Sequence, residues 1–340
     1  MLLQLIFLLF GLIVILLAAE FFTNGVETIG RHFSFSQAVV GSILAAVGTA
    51  MPETILPLVA IFLYGGDSAK EIGVGAILGA PFMLSTLAFF LVGITVLVAS
   101  LSKRRRFEVN AEAASIRRDL TFFLVMYSLA IVLPICLGKV ILVPTAAALI
   151  AGYFLYAYKT FRSESAALEH FEEMYLWRLV KSVRPAVLSQ SPPLLLILLQ
   201  ILAALAVMIK GAHIFIQSLG YISVRFGMDP LLFSLLLAPF ATELPEKFNS
   251  ITWSWKGRDT LAVGNITGAM VFQSTFPVSA GLLFTKWEIT GMALLSAAFA
   301  IISALTLLCV ILLRKRVSPV AMFFSGCLYL VYALVLIVRG

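Results

Sequence analysis

The chain has 340 residues, 61% of them hydrophobic and only 12% charged. A soluble domain of this size needs a polar surface that such a composition does not supply, so soluble enzymes and soluble binding modules are excluded. The net charge of +7 then points to loops lying against an anionic membrane leaflet, not to nucleic-acid binding.

Apolar runs exceeding the roughly 18 residues that mark a spanning helix recur along the chain. They predict ten membrane helices, at about 2–19, 36–64, 72–101, 120–138, 140–158, 191–213, 230–252, 260–285, 289–313 and 317–338. Helix is the form these runs suit, because every backbone polar group must be satisfied inside lipid. The expected fold class is therefore an all-α polytopic membrane protein. The first run starts at Leu2 without a basic flank and meets Glu20 with no small-residue cleavage site. It reads as a span and not as a removed signal peptide. Cys136, Cys309 and Cys327 lie in or at the edge of apolar runs and suggest neither a disulfide framework nor a metal site.

Ten spans sort the basic residues cleanly. One set of loops carries 17 of the 24 lysines and arginines, among them the run Lys103–Arg106 and the run Arg314–Arg316. The other set, with the C-terminus, carries five. The richer set is expected on the cytoplasmic side, with both termini outside. Residues 1–158 and 191–340 then form two five-helix halves of opposite orientation, joined by a cytoplasmic linker over 159–190. The linker mixes both charges with Phe, Tyr and Trp and reads as a surface helix between the halves.

The halves also match in sequence. "VGTAMPE" (Val47 to Glu53) aligns with "FATELPE" (Phe240 to Glu246), and "VGAILGA" (Val74 to Ala80) aligns with "VGNITGA" (Val263 to Ala269). The repeated segments cover about 41–90 and about 234–283. An internal repeat in opposite orientations is the pattern of secondary transporters, whose ion sites lie near the midplane where interrupted helices meet. Pro52 and Pro245 are expected to break their helices and free carbonyls upstream. A carboxylate one residue later can join those carbonyls around a cation.

Four charged residues lie well inside the predicted spans: Glu53, Glu243, Glu246 and Lys247. A mid-bilayer carboxylate costs on the order of 3 kcal/mol or more, which makes function the default reading. Glu243 and Lys247 are four apart in the order that favours a helix ion pair. They neutralise each other, or Glu243 is a third ligand or a proton carrier and Lys247 a tethered cation. Thr49 and Thr242 offer hydroxyl or carbonyl oxygens, or bond back to their own helices. Gly75, Gly79, Gly264 and Gly268 suit close helix approach. Asn249, Asn265 and Gln273 suit helix-to-helix hydrogen bonds more than a pathway lining. Glu20, Lys210 and His213 read as residues near span ends that snorkel to the interface.

These motifs resemble the two α-repeats of the cation/calcium exchanger superfamily, which includes the sodium/calcium exchangers. The family pattern is roughly Gly-Thr-Ser-x-Pro-Glu followed by Gly-Asn-x-x-Gly-Ser-Asn in each half. The resemblance implies ten helices in two inverted repeats and exchange of Ca²⁺ for Na⁺ or H⁺ by alternating access. It also implies that the first and sixth helices slide across a core holding the repeats. It carries the ion-coordinating glutamates onto Glu53 and Glu246, and the threonines onto Thr49 and Thr242. The sequence departs from the pattern at four places. Ala50 and Glu243 stand where the family has serine, and Pro81 and Met270 stand where it has Asn or Asp. Ca²⁺ takes roughly six to eight oxygens, so carbonyls, water or Glu243 must supply the rest.

The expected function is thus a secondary antiporter in a prokaryotic plasma membrane. It needs no cofactor beyond the transported ions, and its partners are those cations and the bilayer. A cation channel and a non-transporting sensor on the same scaffold are the alternatives. An intramembrane enzyme is disfavoured, since the chain has no His-Glu-x-x-His and no Ser/His pair in facing spans.

Overall fold

The structure is a computed structural model that describes residues 2–33, 50–64, 66–163, 173–183 and 191–339. Every regular element among the described residues is helical. In chain order these are α1 (Leu2–His32), α2 (Met51–Val59, continued by a π-helical turn Ala60–Tyr64) and α3 (Asp67–Met83). A second π-helical turn, Leu84–Ala88, leads without a break into α4 (Phe89–Leu101). Then come α5 (Ala113–Leu137), α6 (Leu142–Ser163) and the short α7 (Tyr175–Val183). The rest comprises α8 (Leu194–Phe226), α9 (Pro230–Thr242), α10 (Leu244–Trp255), α11 (Asp259–Gln273), α12 (Phe276–Phe284), α13 (Gly291–Arg314) and α14 (Pro319–Arg339).

Seven helical stretches among the described residues are long and apolar enough to cross a membrane. The stretch over α5 and α6 turns on Gly138, whose φ of 70° suits a residue without Cβ, and the two helices pack on each other. Met51–Tyr64 and Pro230–Thr242 are apolar but shorter. Residues 36–49 of the second predicted span lie outside the described residues.

Three boundaries differ from the sequence expectation. Helices α1 and α8 run on well past residues 19 and 213, to His32 and Phe226. Glu20, Lys210 and His213 are therefore mid-helix and not at span ends. The polar residues there have partners that only folding supplies: Glu20 accepts a hydrogen bond from the Tyr175 hydroxyl at 2.7 Å, and the His213 ring lies 5.3 Å from that of Tyr64. The span predicted over 260–285 is two helices, because Ser274 and Thr275 interrupt it and Pro277 opens the next.

The apolar side chains sort into two main clusters. One gathers α1 and α8 with faces of α2, α3 and α9, around Ile15, Leu56, Ile72, Met208 and Phe215. The other gathers α3 to α6 with α11, α13 and α14, around Phe82, Phe123, Tyr127, Met270 and Tyr332. Helices α1 and α8 touch through backbone at Gly11 and Gly211. A Cβ on Gly11 would lie 2.9 Å from the Gly211 carbonyl oxygen. Small residues at such crossings replace the hydrophobic drive that is missing in lipid.

The linker helix is bound to this pair by buried amides. Asn24 accepts the Tyr175 backbone N–H at 3.0 Å, and Gln200 accepts that of Leu176 at 3.0 Å. Gln200 in turn donates to Asn24 Oδ1 at 3.0 Å and to the Phe21 carbonyl at 2.8 Å. One network thus ties α1, α7 and α8 into a unit, with Trp177 packed beneath it near Ile197.

On another face, Arg105 fixes the loop after α4. Its guanidinium reaches both carboxylate oxygens of Asp259, at 2.7 and 2.5 Å, and the Ser254 carbonyl at 2.8 Å. Asp259 is fully buried and holds the Arg105 proton more tightly than in free arginine. Arg105→Met leaves that carboxylate unpaired and should cost about 3 kcal/mol, read as a lowered thermal midpoint that Arg105→Met/Asp259→Leu partly recovers.

Helix α3 crosses α9 at backbone distance. A Cβ on Gly79 would stand 2.0 Å from the Leu235 carbonyl oxygen, and one on Gly75 would stand 2.2 Å from that of Leu231. The close approach expected of Gly75 and Gly79 is present. Gly264 and Gly268 have no such contact among the described residues. Gly79→Ala should destabilise by about 2 kcal/mol or more. Gly220→Ala, whose nearest neighbour would be Ile72 Cδ1 at 3.6 Å, should leave the melting temperature almost unchanged.

Candidate cation site

Both copies of the Thr-x-x-Pro-Glu motif start a helix. Proline lacks the N–H that a first turn leaves unsatisfied in any case, and its fixed φ suits that turn. Pro52 and Pro245 accordingly fall in the first turns of α2 and α10, with Glu53 and Glu246 one residue on. The residues before the two helices, Ala50 and Glu243, have the same backbone, at φ −83° and ψ 6° and at φ −84° and ψ 10°. The repeat is therefore local geometry as well as spelling. In the second copy the helix break is complete, since α9 ends at Thr242 and α10 begins at Leu244.

Each helix start places its glutamate in the first turn, at the positive end of a helix dipole. Glu53 is 5% exposed and Glu246 3%. Neither oxygen of Glu53 has a hydrogen-bond partner among the described residues, and Glu246 Oε2 has none. Glu53 lies within electrostatic reach of Glu246, Glu243 and Lys247. It lines a small cavity with Pro57, Ala76, Ala80, Pro239 and Thr242. The cavity has room for about one water-sized particle.

Of the other expected ligands, Thr49 lies outside the described residues. Thr242 is present at the cavity, and its hydroxyl donates back to the Ala238 carbonyl at 3.1 Å. Glu243 is fully buried, and its Oε2 stands 3.1 Å from Lys247 Nζ. The two form a buried ion pair one helical turn apart. Among the described residues no three His, Cys, Asp or Glu side chains converge closely enough to hold a metal. Glu53, Glu243 and Glu246 are thus neighbours without sharing one point.

The second repeated segment supplies support. Asn265 on α11 donates to the Glu246 carbonyl and to Ser250 Oγ, each at 3.1 Å, and so holds α10 in place. This is the helix-to-helix bond expected of it. The aligned residue in the first half is Ala76, and its missing side chain leaves the space that Glu53 faces. Asn249 is exposed. Gln273 corrects the expectation of a helix-to-helix bond: it is buried, and neither amide atom has a partner among the described residues. Met270 and Pro81 are buried in apolar surroundings.

Two buried polar links escaped sequence reading. Asp119 accepts from the Thr267 hydroxyl at 2.7 Å, and Asp259 pairs with Arg105. Asp119 sits just before a predicted span and Asp259 opens a helix, so each reads as an ordinary loop charge until its partner is placed.

Residues 3–162 and 196–339 match the family described as sodium/calcium exchanger protein. The chain belongs to the sodium/calcium exchanger family. Among relatives of this exchanger, the candidate antiporter CaxA of Alkalimonas amylolytica is 24% identical over 360 residues, covering 98% of this chain and 100% of CaxA. The inner membrane protein YrbG of Escherichia coli (strain K12) is 24% identical over 309 residues, covering 86% of this chain and 83% of YrbG. In fold, the crystal structure of the H⁺/Ca²⁺ exchanger CAX superposes with a TM-score of 0.69 at 18% identity, covering 98% of this chain and 82% of CAX. The sodium-calcium exchanger NCX_Mj superposes at 0.57 and 20% identity, covering 98% of each chain. The family and these structural neighbours are exchangers, not enzymes, and this exchanger is an all-helical integral membrane protein.

A buried carboxylate without a partner opposes folding. Glu53→Gln and Glu246→Gln, made singly, should each raise the thermal midpoint in cation-free detergent, by the trade of stability for function that such sites make. A fall in both midpoints would mean that the two carboxylates have structural partners after all.

Proposed function

We propose that the protein is a secondary active antiporter that exchanges Ca²⁺, or a related cation, for Na⁺ or H⁺ by alternating access. The observation that carries this reading is the pair of buried glutamates, Glu53 and Glu246, at equivalent positions of two helix starts and within electrostatic reach of each other, with Glu53 unpartnered among the described residues and lining a small cavity. Family membership supports cation exchange in general, and the structural neighbours are an H⁺/Ca²⁺ exchanger and a sodium-calcium exchanger.

On this reading Glu53 and Glu246 are the charged ligands, and Thr49 and Thr242 lend oxygens. For Thr242 the back-bonded hydroxyl leaves its lone pairs free to accept a cation, since the proton is spent on Ala238. Glu243 lies alongside, held by Lys247. The two carboxylates hold either the divalent ion or the exchanged monovalent ions, and that competition couples the two fluxes.

The proposed architecture is ten spans in two inverted five-helix halves, 1–158 and 191–340, with a cytoplasmic linker at 159–190. The basic loops face the cytoplasm, both termini lie outside, and the membrane is a prokaryotic plasma membrane. Helices α1 and α8, tied to each other and to the linker helix by hydrogen bonds, are the moving gate. The cluster around Phe82 and Tyr127 is the core it moves across.

The test is uptake of radioactive Ca²⁺ into liposomes loaded with Na⁺ or with acid, each against a matched control. Uptake driven by one of these gradients, and lost in Glu53→Gln and Glu246→Gln, is the expected result. Absence of Ca²⁺ flux under both gradients overturns the calcium assignment, and the same vesicles then serve to screen other cations.

A further inference from the structure

The match between the halves does not stop at Ala80 and Ala269. Carried on without a gap, "VGAILGAPFMLST" (Val74 to Thr86) lies against "VGNITGAMVFQST" (Val263 to Thr275), and both segments end on Ser-Thr. All four of these hydroxyl residues are fully buried, and the two pairs bond alike. The Ser85 and Thr86 hydroxyls both donate to the Phe82 carbonyl, at 3.1 and 2.5 Å. The Ser274 and Thr275 hydroxyls both donate to the Val271 carbonyl, each at 3.0 Å, and Thr275 also reaches that of Phe272 at 2.8 Å. Phe82 and Val271 are aligned residues.

A carbonyl oxygen has two lone pairs. Two hydroxyls on one carbonyl therefore compete with the backbone N–H four residues on, and the helix loosens. Both helices depart from regular α-form here. The first passes through the π-helical turn Leu84–Ala88, where the Ser85 carbonyl accepts the Ser303 hydroxyl from α13. In the second, the Thr275 N–H bonds to the Phe272 carbonyl, three residues back, at 3.1 Å, and α11 has already ended. The second interruption is the more complete because Pro277, which has no N–H, stands where the first half has Ala88. A single hydroxyl does not have this effect. Thr95 and Thr306 each bond back to one carbonyl, at 2.7 and 2.8 Å, inside unbroken α4 and α13.

Each pair divides its helix between two attachments. Before the pair, α3 is tied to α9 by the Gly75 and Gly79 contacts and by the Ser234 hydroxyl, which donates to the Ile72 carbonyl at 2.7 Å. Likewise α11 is tied to α10 by Asn265. Beyond the pair, α4 packs on α14, where a Cβ on Gly326 would stand 2.2 Å from the Phe90 ring. In the other half α12 packs on α6, where the Ser279 hydroxyl donates to the Ala146 carbonyl at 3.3 Å. The segments before the pairs are those that border the candidate site, through Ala76 and Ala80 in one half and the brace on Glu246 in the other.

We propose that Ser85-Thr86 and Ser274-Thr275 are matched flex points, positioning residues at which α3 and α11 tilt against α4 and α12 as the site changes the side to which it opens. Loosened turns of this kind are where a packed helix bends. The role in transport rests on the antiporter reading above, whereas the loosening itself does not.

The full-length chain is compared with Ser85→Ala/Thr86→Val, with Ser274→Ala/Thr275→Val, and with Thr86→Ser/Thr275→Ser, which keeps all four hydroxyls. Amide hydrogen exchange in detergent is read over residues 84–90 and 274–280. Each hydroxyl-free variant should slow exchange about tenfold in its own segment, and the conservative variant should match wild type. In liposomes the maximal rate of Ca²⁺ exchange should fall about tenfold in each hydroxyl-free variant while equilibrium Ca²⁺ binding in detergent is unchanged, a split that general loss of packing does not give. The conservative variant should keep the wild-type rate.

Unchanged amide exchange in the hydroxyl-free variants overturns the flex points. Slowed amide exchange with an unchanged transport rate overturns their part in the cycle, as does a conservative variant that transports as slowly as the hydroxyl-free ones. Absence of Ca²⁺ flux in wild type, with the amide pattern as expected, overturns the antiporter reading and with it the role in transport, while the loosened helices stand.

Discussion

The constraint on which the rest of the structure depends is the burial of charge at two helix starts. Three carboxylates and one ammonium sit where lipid and apolar side chains offer nothing to solvate them. Only Glu243 and Lys247 face each other at ion-pair distance, 3.1 Å. Glu53 has no hydrogen-bond partner among the described residues. A protein does not keep such a group in its interior for stability, because an apolar residue of similar size would do better. The two helix starts present those carboxylates, and the proline before each fits a first turn with little cost to the backbone.

The packing around the helix starts holds one side close and leaves the other separable. Helices α3 and α9 meet at backbone distance through Gly75 and Gly79, so the two repeated segments cannot drift apart beside the cavity. Helices α1 and α8 pack on aliphatic faces of α2, α3 and α9, while Asn24, Gln200 and the linker helix bind the two to each other by hydrogen bonds. A pair of long helices joined to one another by buried amides and to the rest by aliphatic faces is suited to move as one body. Aliphatic contacts are non-directional and tolerate sliding, whereas hydrogen bonds to particular atoms do not.

The halves are similar but not equivalent. Asn265 braces Glu246 from behind, while the aligned Ala76 leaves space in front of Glu53. Glu243 takes the position of Ala50 and brings its own cation. Of the two copies, then, one is braced by Asn265 and the other is open beside Glu53. An ion meeting this site would find a floor built by the second repeat and room supplied by the first.

Much of this was legible in the chain itself. The long apolar runs, the doubled Thr-x-x-Pro-Glu and the glycines at small-x3-small spacing made a helical membrane protein with two inward-facing glutamates legible, since a proline and a charge in an apolar run have few other uses. Position in space was not legible. Polarity sets in at residues 19 and 213, but α1 continues with Glu20 and Asn24 bonded to Tyr175, and α8 continues with the His213 ring against Tyr64. Gln273 looked like a residue with a partner across helices and has none among the described residues. The spacing of Glu243 and Lys247 allowed either a neutral pair or two independent groups. Only the tertiary structure brought Met83 and the Pro239 carbonyl to the same ammonium. Sequence determined which residues carry charge into the membrane, because hydropathy and helix breaking are local properties. The fold alone decided which of those charges are compensated, because compensation depends on groups that are distant in the chain and adjacent only after packing.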